Sequence, residues 1–178
     1  MNLCGIDEAG RGSIAGPLSV AGCILKKDIK DLNDSKKLTV KKREYLYEII
    51  KENSYYHIVL TSSKTIDKLG LSLCMKNSIL EIMQKLNTNN YLIDGNTSFK
   101  ISNLEHQIKA DQKIKEVSAA SILAKVTRDN YMCDLSSLYL KYNFKNHKGY
   151  GTKEHIELIK KYGYSDIHRL SFNIKSLN

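Results

Sequence analysis

Apolar and polar positions change period several times along the chain. Leu3–Ile6 and Leu18–Leu25 are short apolar runs separated by a Gly-rich stretch, and they predict two strands; Tyr56–Thr61 predicts a third. From Asp67 to Leu86 the apolar residues Leu69, Leu73, Leu80, Met83 and Leu86 recur at helical spacing. That spacing predicts one amphipathic helix with these side chains on its buried face and Gly70 as a weak point near its start. Tyr91-Leu92-Ile93 predicts a buried strand that delivers Asp94 at its tip, before Gly95-Asn96. A further helix is expected over Val117–Tyr142, burying Ile122, Leu123, Val126 and Tyr131. The last runs from an N-cap at Thr152 to a C-cap at Gly163. Strands followed by mixed strands and helices point to an α/β domain around a mixed central sheet. Pro17 is the single proline, and no linker, repeat or low-complexity tract divides the 178 residues. One domain spanning 1–178 is expected.

Composition narrows the class. Apolar residues make up 42% and charged residues 26%, a globular balance. No run approaches the roughly 18 apolar residues of a membrane span, and the N-terminus reaches Asp7 and Glu8 without a signal-peptide pattern. A soluble cytoplasmic protein is expected. Cys4, Cys23, Cys74 and Cys133 are too dispersed for a zinc site and fit free thiols in a reducing compartment. The net charge of +9 favours a polyanionic partner without identifying one.

The carboxylates that interrupt apolar segments carry more. Asp7 and Glu8 follow Leu3–Ile6, Asp94 follows Tyr91–Ile93, and Asp111 sits in Ile108-Lys109-Ala110-Asp111 just before a helix. Burying a carboxylate is costly unless a partner compensates it. If the strands lie side by side, their ends can gather four acidic groups whose repulsion calls for cations. Mg²⁺ or Mn²⁺ is the natural occupant, and two such ions could assist an in-line phosphoryl displacement. A DE pair or a DG turn is also common as a plain strand end or hairpin. Asp7 and Glu8 alternate faces on a regular strand, so both serve one site only if the backbone departs there; Gly10 and Gly12 allow such a departure. Gly5 to Ser13 matches a phosphate-cradling loop poorly, since Arg11 stands where that motif needs Lys.

Together these segments resemble the ribonuclease HII family, the type 2 ribonucleases H. The resemblance rests on GIDEAGRG at Gly5–Gly12 with AGP at Ala15–Pro17, and DSKKL at Asp34–Leu38. It continues with LIDGN at Leu92–Asn96, KAD at Lys109–Asp111 and SAASILAKVTRD at Ser118–Asp129. HKGYGT at His147–Thr152 and HRLSF at His168–Phe172 complete it. It implies an RNase H-like fold with a helical C-terminal segment, about 140–178, that contributes to substrate binding. It further implies cleavage of RNA in RNA–DNA hybrids and incision 5′ of single ribonucleotides in duplex DNA, with two Mn²⁺ or Mg²⁺ ions held by Asp7, Glu8, Asp94 and Asp111. Gly10, Arg11 and Gly12 would read the ribose 2′-OH, the group that distinguishes RNA from DNA, and Tyr150 would pack on the sugar at the junction. Ser13 and Ala110 depart from the Pro and Gly often found at those places. A non-catalytic nucleic-acid-binding module and the related type 3 enzyme are the rival readings. A monomer without an evident protein partner or membrane contact is expected.

Several other residues are read as structural. Asp129 should pair with Arg128 or Lys125, and His147 and His168 should pack rather than react. Lys36 and Lys37 are either solvated or touch phosphate. Most of the eleven tyrosines are expected in or near the core, Tyr150 excepted.

Overall fold

The computed structural model describes residues 2–32 and 38–177, so Lys36 and Lys37 and most of the Asp34–Leu38 block lie outside the described residues. The chain opens with an antiparallel hairpin, β1 (Leu3–Ala9) and β2 (Leu18–Leu25), which pairs Asp7 with Ala21. Helix α1 (Val40–Glu52) starts at Thr39, whose hydroxyl accepts the Lys42 N–H, and leads into β3 (Ser54–Thr61). Helices α2 (Ser63–Leu69) and α3 (Leu71–Lys85) follow, then β4 (Asn90–Asp94) and β5 (Leu104–Gln107). A 3₁₀ turn at Ala110–Gln112 precedes the long α4 (Lys115–Ser136). A second 3₁₀ turn at Leu140–Tyr142, α5 (Phe144–His147) and α6 (Lys153–Tyr162) complete the regular structure of the described residues.

The five strands form one mixed sheet in the order β3-β2-β1-β4-β5. β1 is central: antiparallel to β2 and parallel to β4, which is itself parallel to β5. Strand alternation sends Cys4 and Ile6 of β1 to one face, where they bury against Met75, Ile79 and Ile82 of α3. Ala9, with Ala21 and Cys23 of β2, faces the other way, toward Leu46 and Ile50 of α1 and Ala119–Ala124 of α4. Gly5 explains how closely α4 approaches: a Cβ there would lie 2.2 Å from the Glu116 main-chain carbon.

Several expectations need correction. Asp67–Leu86 is not one helix but two, because Gly70 adopts φ 78°, ψ 150°, a conformation that ends α2. Its N–H still closes the last turn on Ile66 O at 2.8 Å. The face is wrong as well: Leu69, Leu73 and Leu80 are exposed, whereas Cys74, Met75, Ser78, Ile79 and Ile82 are buried. Two apolar stripes share the helical period in this segment, and docking on the sheet selects the one with the isoleucines. Helix α4 stops at Ser136 rather than reaching Tyr142, and Tyr131 is exposed. α1, β5 and α5 had no expected counterpart, and α2 was expected only in its last residues, Asp67–Leu69. Six tyrosines, Tyr45, Tyr55, Tyr56, Tyr131, Tyr162 and Tyr164, are exposed rather than packed. The four cysteines are free thiols, three of them buried. No helix among the described residues is long and apolar enough to cross a membrane.

Candidate metal centre and nucleic-acid cleft

The parallel pairing of β1 with β4 sets the site. Ile6 lies opposite Ile93, so Asp7 and Asp94 follow one step later, where the parallel pairing of the two strands stops at the carboxyl end of β4. Open α/β sheets bind their ligands at such ends. Asp111 arrives from the 3₁₀ turn. Lys109 turns the chain there with φ 59°, and the next N–H, that of Ala110, donates to Asp94 Oδ1 at 2.7 Å. That bond ties the turn to the end of β4. One carboxylate oxygen from each of Asp7, Asp94 and Asp111 then lies within 4.8 Å of the others. Asp7 and Asp111 are buried, at 5% and 1% exposure.

Such crowding is electrostatically adverse. Burial, then the neighbouring Glu8, and further Asp94, push the Asp7 carboxyl well above the usual carboxylate range. A hydrogen bond with Ser121 and the Glu8 N–H, 2.7 Å from Oδ1, oppose them only in part. Burial also raises Glu8, with Asp94 adding to it and Arg11 opposing. The donor set is all hard carboxylate oxygen, and no other group of three or more metal-ligating side chains converges among the described residues. A divalent cation preferring oxygen fits this set and relieves the repulsion.

Glu8 stands apart from the other three. β1 pairs regularly with β2 through Ala9, so Asp7 and Glu8 do point to opposite faces. The backbone departs only afterwards, at Gly10. Glu8 nonetheless lines the same cleft, with its Oε1 3.5 Å from Arg11 Nη1. Gly10–Gly12, Asp94, Arg43, Ser121, Lys125 and Tyr150 complete the lining.

The Gly-Arg-Gly turn is held from beneath by two fully buried arginines. Gly10 has φ 85°, and a Cβ there would lie 2.0 Å from Arg128 Nε, so no other residue fits. Arg128 donates to the carbonyls of Pro17, Lys148 and Ala15 at 2.8, 2.9 and 3.1 Å. Arg169 donates to Gly16 O at 3.0 Å and Arg11 O at 3.2 Å. Ser13 closes the turn by donating its N–H to Gly10 O at 3.3 Å, a bond that Pro at this place would forgo. Tyr150 is half-buried over the two cations of α4, its ring centroid 5.1 Å from both Lys125 Nζ and Arg128 Cζ. Asp129 pairs with Lys125 at 2.9 Å, as expected. His147 and His168 pack in the C-terminal part, also as expected.

Sequence reasoning missed Arg43, Ser121, Lys125, Arg128 and Arg169. For three of them a signal existed. Ser121, Lys125, Arg128 and Met132 follow one another at helical spacing, placing polar groups on a face of α4 that packs against the hairpin. For Arg43 and Arg169 no pattern marks the residue.

Comparison with known proteins agrees with this geometry. The family model for ribonuclease HII matches residues 4–175. Ribonuclease HII of Aliarcobacter butzleri is 61% identical over 178 residues, covering 99% of this chain and 93% of the relative. Among solved structures, Archaeoglobus fulgidus RNase HII in its complex with PCNA superposes with a TM-score of 0.87 at 25% identity. That match covers 98% of this chain and 96% of the other. An RNase HIII bound to Mn²⁺, from Bst, shares the fold, with a TM-score of 0.73 at 17% identity over 99% of this chain and 68% of that one. A ribonuclease H-like sheet, an acidic centre at its parallel strand ends and sequence identity over nearly its whole length place one conclusion beyond the resemblance: the chain belongs to the ribonuclease HII family and is a ribonuclease H.

Proposed function

We propose that the chain hydrolyses RNA within RNA–DNA hybrids and incises duplex DNA on the 5′ side of single ribonucleotides, leaving 3′-OH and 5′-phosphate ends. The observation that carries this is the convergence of Asp7, Asp94 and Asp111 beside the Gly10–Gly12 turn and Tyr150 in one cleft. Asp7, Asp94 and Asp111 would hold two Mg²⁺ or Mn²⁺ ions, with Glu8 completing the acidic set from the wall of the cleft. When bound, the ions supply an activated water and neutralise charge gathering on the scissile phosphate. The Ala110 N–H fixes the Asp94 carboxylate, and the Ser121 hydrogen bond fixes that of Asp7. Each therefore meets the ion in a set orientation.

Recognition falls to the turn. A Cβ at Gly12 would meet nothing within 4 Å, so the main chain is open there to a close approach by the ribose. Gly10–Gly12 read the 2′-OH through main-chain groups, and Tyr150 supplies a flat surface to the sugar of the junction. Lys125 and Arg43 place positive charge on the cleft wall, where phosphates pass. The segment of about 140–178 contributes Tyr150 and a basic stretch: Lys141–Lys161 holds six lysines against two glutamates. A monomer in the cytoplasm accords with the free thiols.

Incubating the protein with a duplex carrying one ribonucleotide tests this, with Mg²⁺, Mn²⁺ or chelator. A single incision 5′ of the ribonucleotide, dependent on metal, is expected. No product with either metal would leave only a binding module. Efficient cleavage of long hybrids without incision at the lone ribonucleotide would favour a type 3 specificity.

A further inference from the structure

Three histidines lie buried beneath the cleft and have no part in the chemistry above. His155, on α6, has its Nε2 3.0 Å from His168 Nε2 and its Nδ1 2.9 Å from the main-chain oxygen of Tyr150. The direction of this chain of bonds is set at its far end. His168 Nδ1 accepts the Ser165 N–H at 2.8 Å, so that nitrogen carries a lone pair and the proton of the neutral ring sits on Nε2. His168 Nε2–H therefore donates to His155 Nε2. The proton of His155 is left on Nδ1, where it donates to the Tyr150 carbonyl.

His147 is fixed independently. Its Nδ1 accepts the Gly149 N–H at 3.2 Å, its Nε2–H donates to Tyr142 O at 2.7 Å, and its ring stacks on His155 with centroids 4.1 Å apart. All six ring nitrogens are engaged within the protein, which leaves no lone pair for a metal. Burial pushes His155 and His168 down to about 4, so both rings are neutral near pH 7.

The segment they hold needs holding. Lys148 and Gly149 both have positive φ, 51° and 81°. The carbonyls of residues 148–150 each have a named donor: Arg128 for Lys148, the Ile14 and Ala15 N–H groups for Gly149, and His155 with the Thr152 N–H for Tyr150. We infer that His155, oriented by His168, is a positioning residue for Tyr150 and so governs recognition of the ribonucleotide–DNA junction rather than the hydrolytic step. The inference rests on the role given to Tyr150 above.

The unaltered protein provides the first test. Long-range ¹H–¹⁵N spectra of its histidine rings should show His155 as the Nδ1–H tautomer and His147 and His168 as Nε2–H. An Nε2–H tautomer at His155 would overturn the inference without any variant having to fold. The second test uses two substitutions that place an amide at different ends of the lost ring. The His155→Asn amide nitrogen falls near the site of Nδ1 and keeps the donor to Tyr150 O, whereas that of His155→Gln falls near Nε2 and loses it. With a duplex carrying one ribonucleotide, H155Q should raise KM about tenfold, the order expected for losing one well-made hydrogen bond, and leave kcat nearly unchanged. H155N should restore most of the loss. Tyr150→Ala on the same substrate separates the two claims. If it raises KM while H155Q does not, the positioning role fails alone. If Tyr150→Ala leaves KM unchanged, the recognition role of Tyr150 fails and the inference falls with it.

Discussion

At the scale of single residues, Asp7 concentrates the conflict between stability and function. Its carboxyl is buried beside Glu8 and Asp94, so ionising it without a cation opposes folding. A carboxyl whose folded-state pKa is raised weakens the fold as pH climbs above its unfolded value near 3.9. Asp7→Asn removes that charge and keeps the shape. The variant should melt higher than the parent in chelator, lose the stabilisation that Mg²⁺ gives the parent, and cleave more than about 100-fold more slowly, since even residues behind a metal ligand cost 10–100-fold. Hybrid affinity should change little, because surface lysines carry much of it. Calorimetry with and without Mg²⁺, a cleavage assay and a binding titration check the three parts, and equal loss of affinity and activity would remove Asp7 from its assigned role. The acidic site was legible in the sequence for a physical reason: a carboxylate directly after an apolar strand is anomalous unless something binds it. Asp7 and Asp94 share that signature, whereas Asp111, in a 3₁₀ turn, was marked only as an acidic residue just before a helix. Glu8 shares it too, but strand alternation, also legible, sets it apart from the group of three. Arg169 was not legible, because a buried arginine and a solvated one look alike in sequence when the carbonyls satisfied come from distant loops; for Arg128 only its helical spacing from Ser121 and Lys125 was.

Among the elements, the α2–α3 segment shows where periodicity stops being informative. Leu69, Leu73 and Leu80 mark one helical stripe and Met75, Ile79 and Ile82 another, and only the sheet beneath decides between them. Ile79→Ala should therefore cost about 2–5 kcal/mol, whereas Leu80→Ala, at 44% exposure, should stay within about 0.5 kcal/mol. Denaturant midpoints compare them directly, and a reversed order would place the opposite stripe in the core. Gly70 belongs to the same argument. Its φ 78°, ψ 150° is open only to glycine, and the space around it is empty, so Gly70→Ala meets strain without a clash. A loss of about 1–3 kcal/mol is expected, with the cleavage rate unchanged at temperatures where the variant is folded. The elements that pattern missed fail for related reasons. α1 is densely charged and buries only Leu46 and Ile50, and β5, Leu-Glu-His-Gln, has one buried side chain. Each is held by its neighbours more than by its own apolar period.

For the whole molecule, an acidic centre sits inside a chain of net charge +9, and a neutral histidine cluster sits beneath the loop that carries Tyr150. These respond differently to solution conditions. Salt screens the basic surface, so duplex affinity should fall steeply with ionic strength. Acid acts on the histidines and on the raised carboxyls of Asp7 and Glu8 in opposite senses. Burial holds His155 and His168 at about 4, below the ordinary 6.5, and depresses His147 as well. Between these values the unfolded chain binds protons at the histidines that the folded chain refuses, so their contribution to stability rises with pH across that range. Lowering the pH from 7 toward 4 should thus bring a histidine contribution that lowers the melting temperature, exhausted below about 4, while the raised carboxyls of Asp7 and Glu8 act in the opposite sense in both parent and variant. Protonating His155 would set its Nε2–H against that of His168, and protonating His168 would set a new Nδ1–H against the Ser165 N–H, so the loop carrying Tyr150 should loosen along with the fold. Replacing His168 by Gln, whose amide can still donate toward His155 but cannot be protonated, should flatten the slope between pH 6.5 and 4 relative to the parent. Thermal unfolding followed across that range measures both slopes, and an unchanged slope in H168Q would assign the acid sensitivity to other groups.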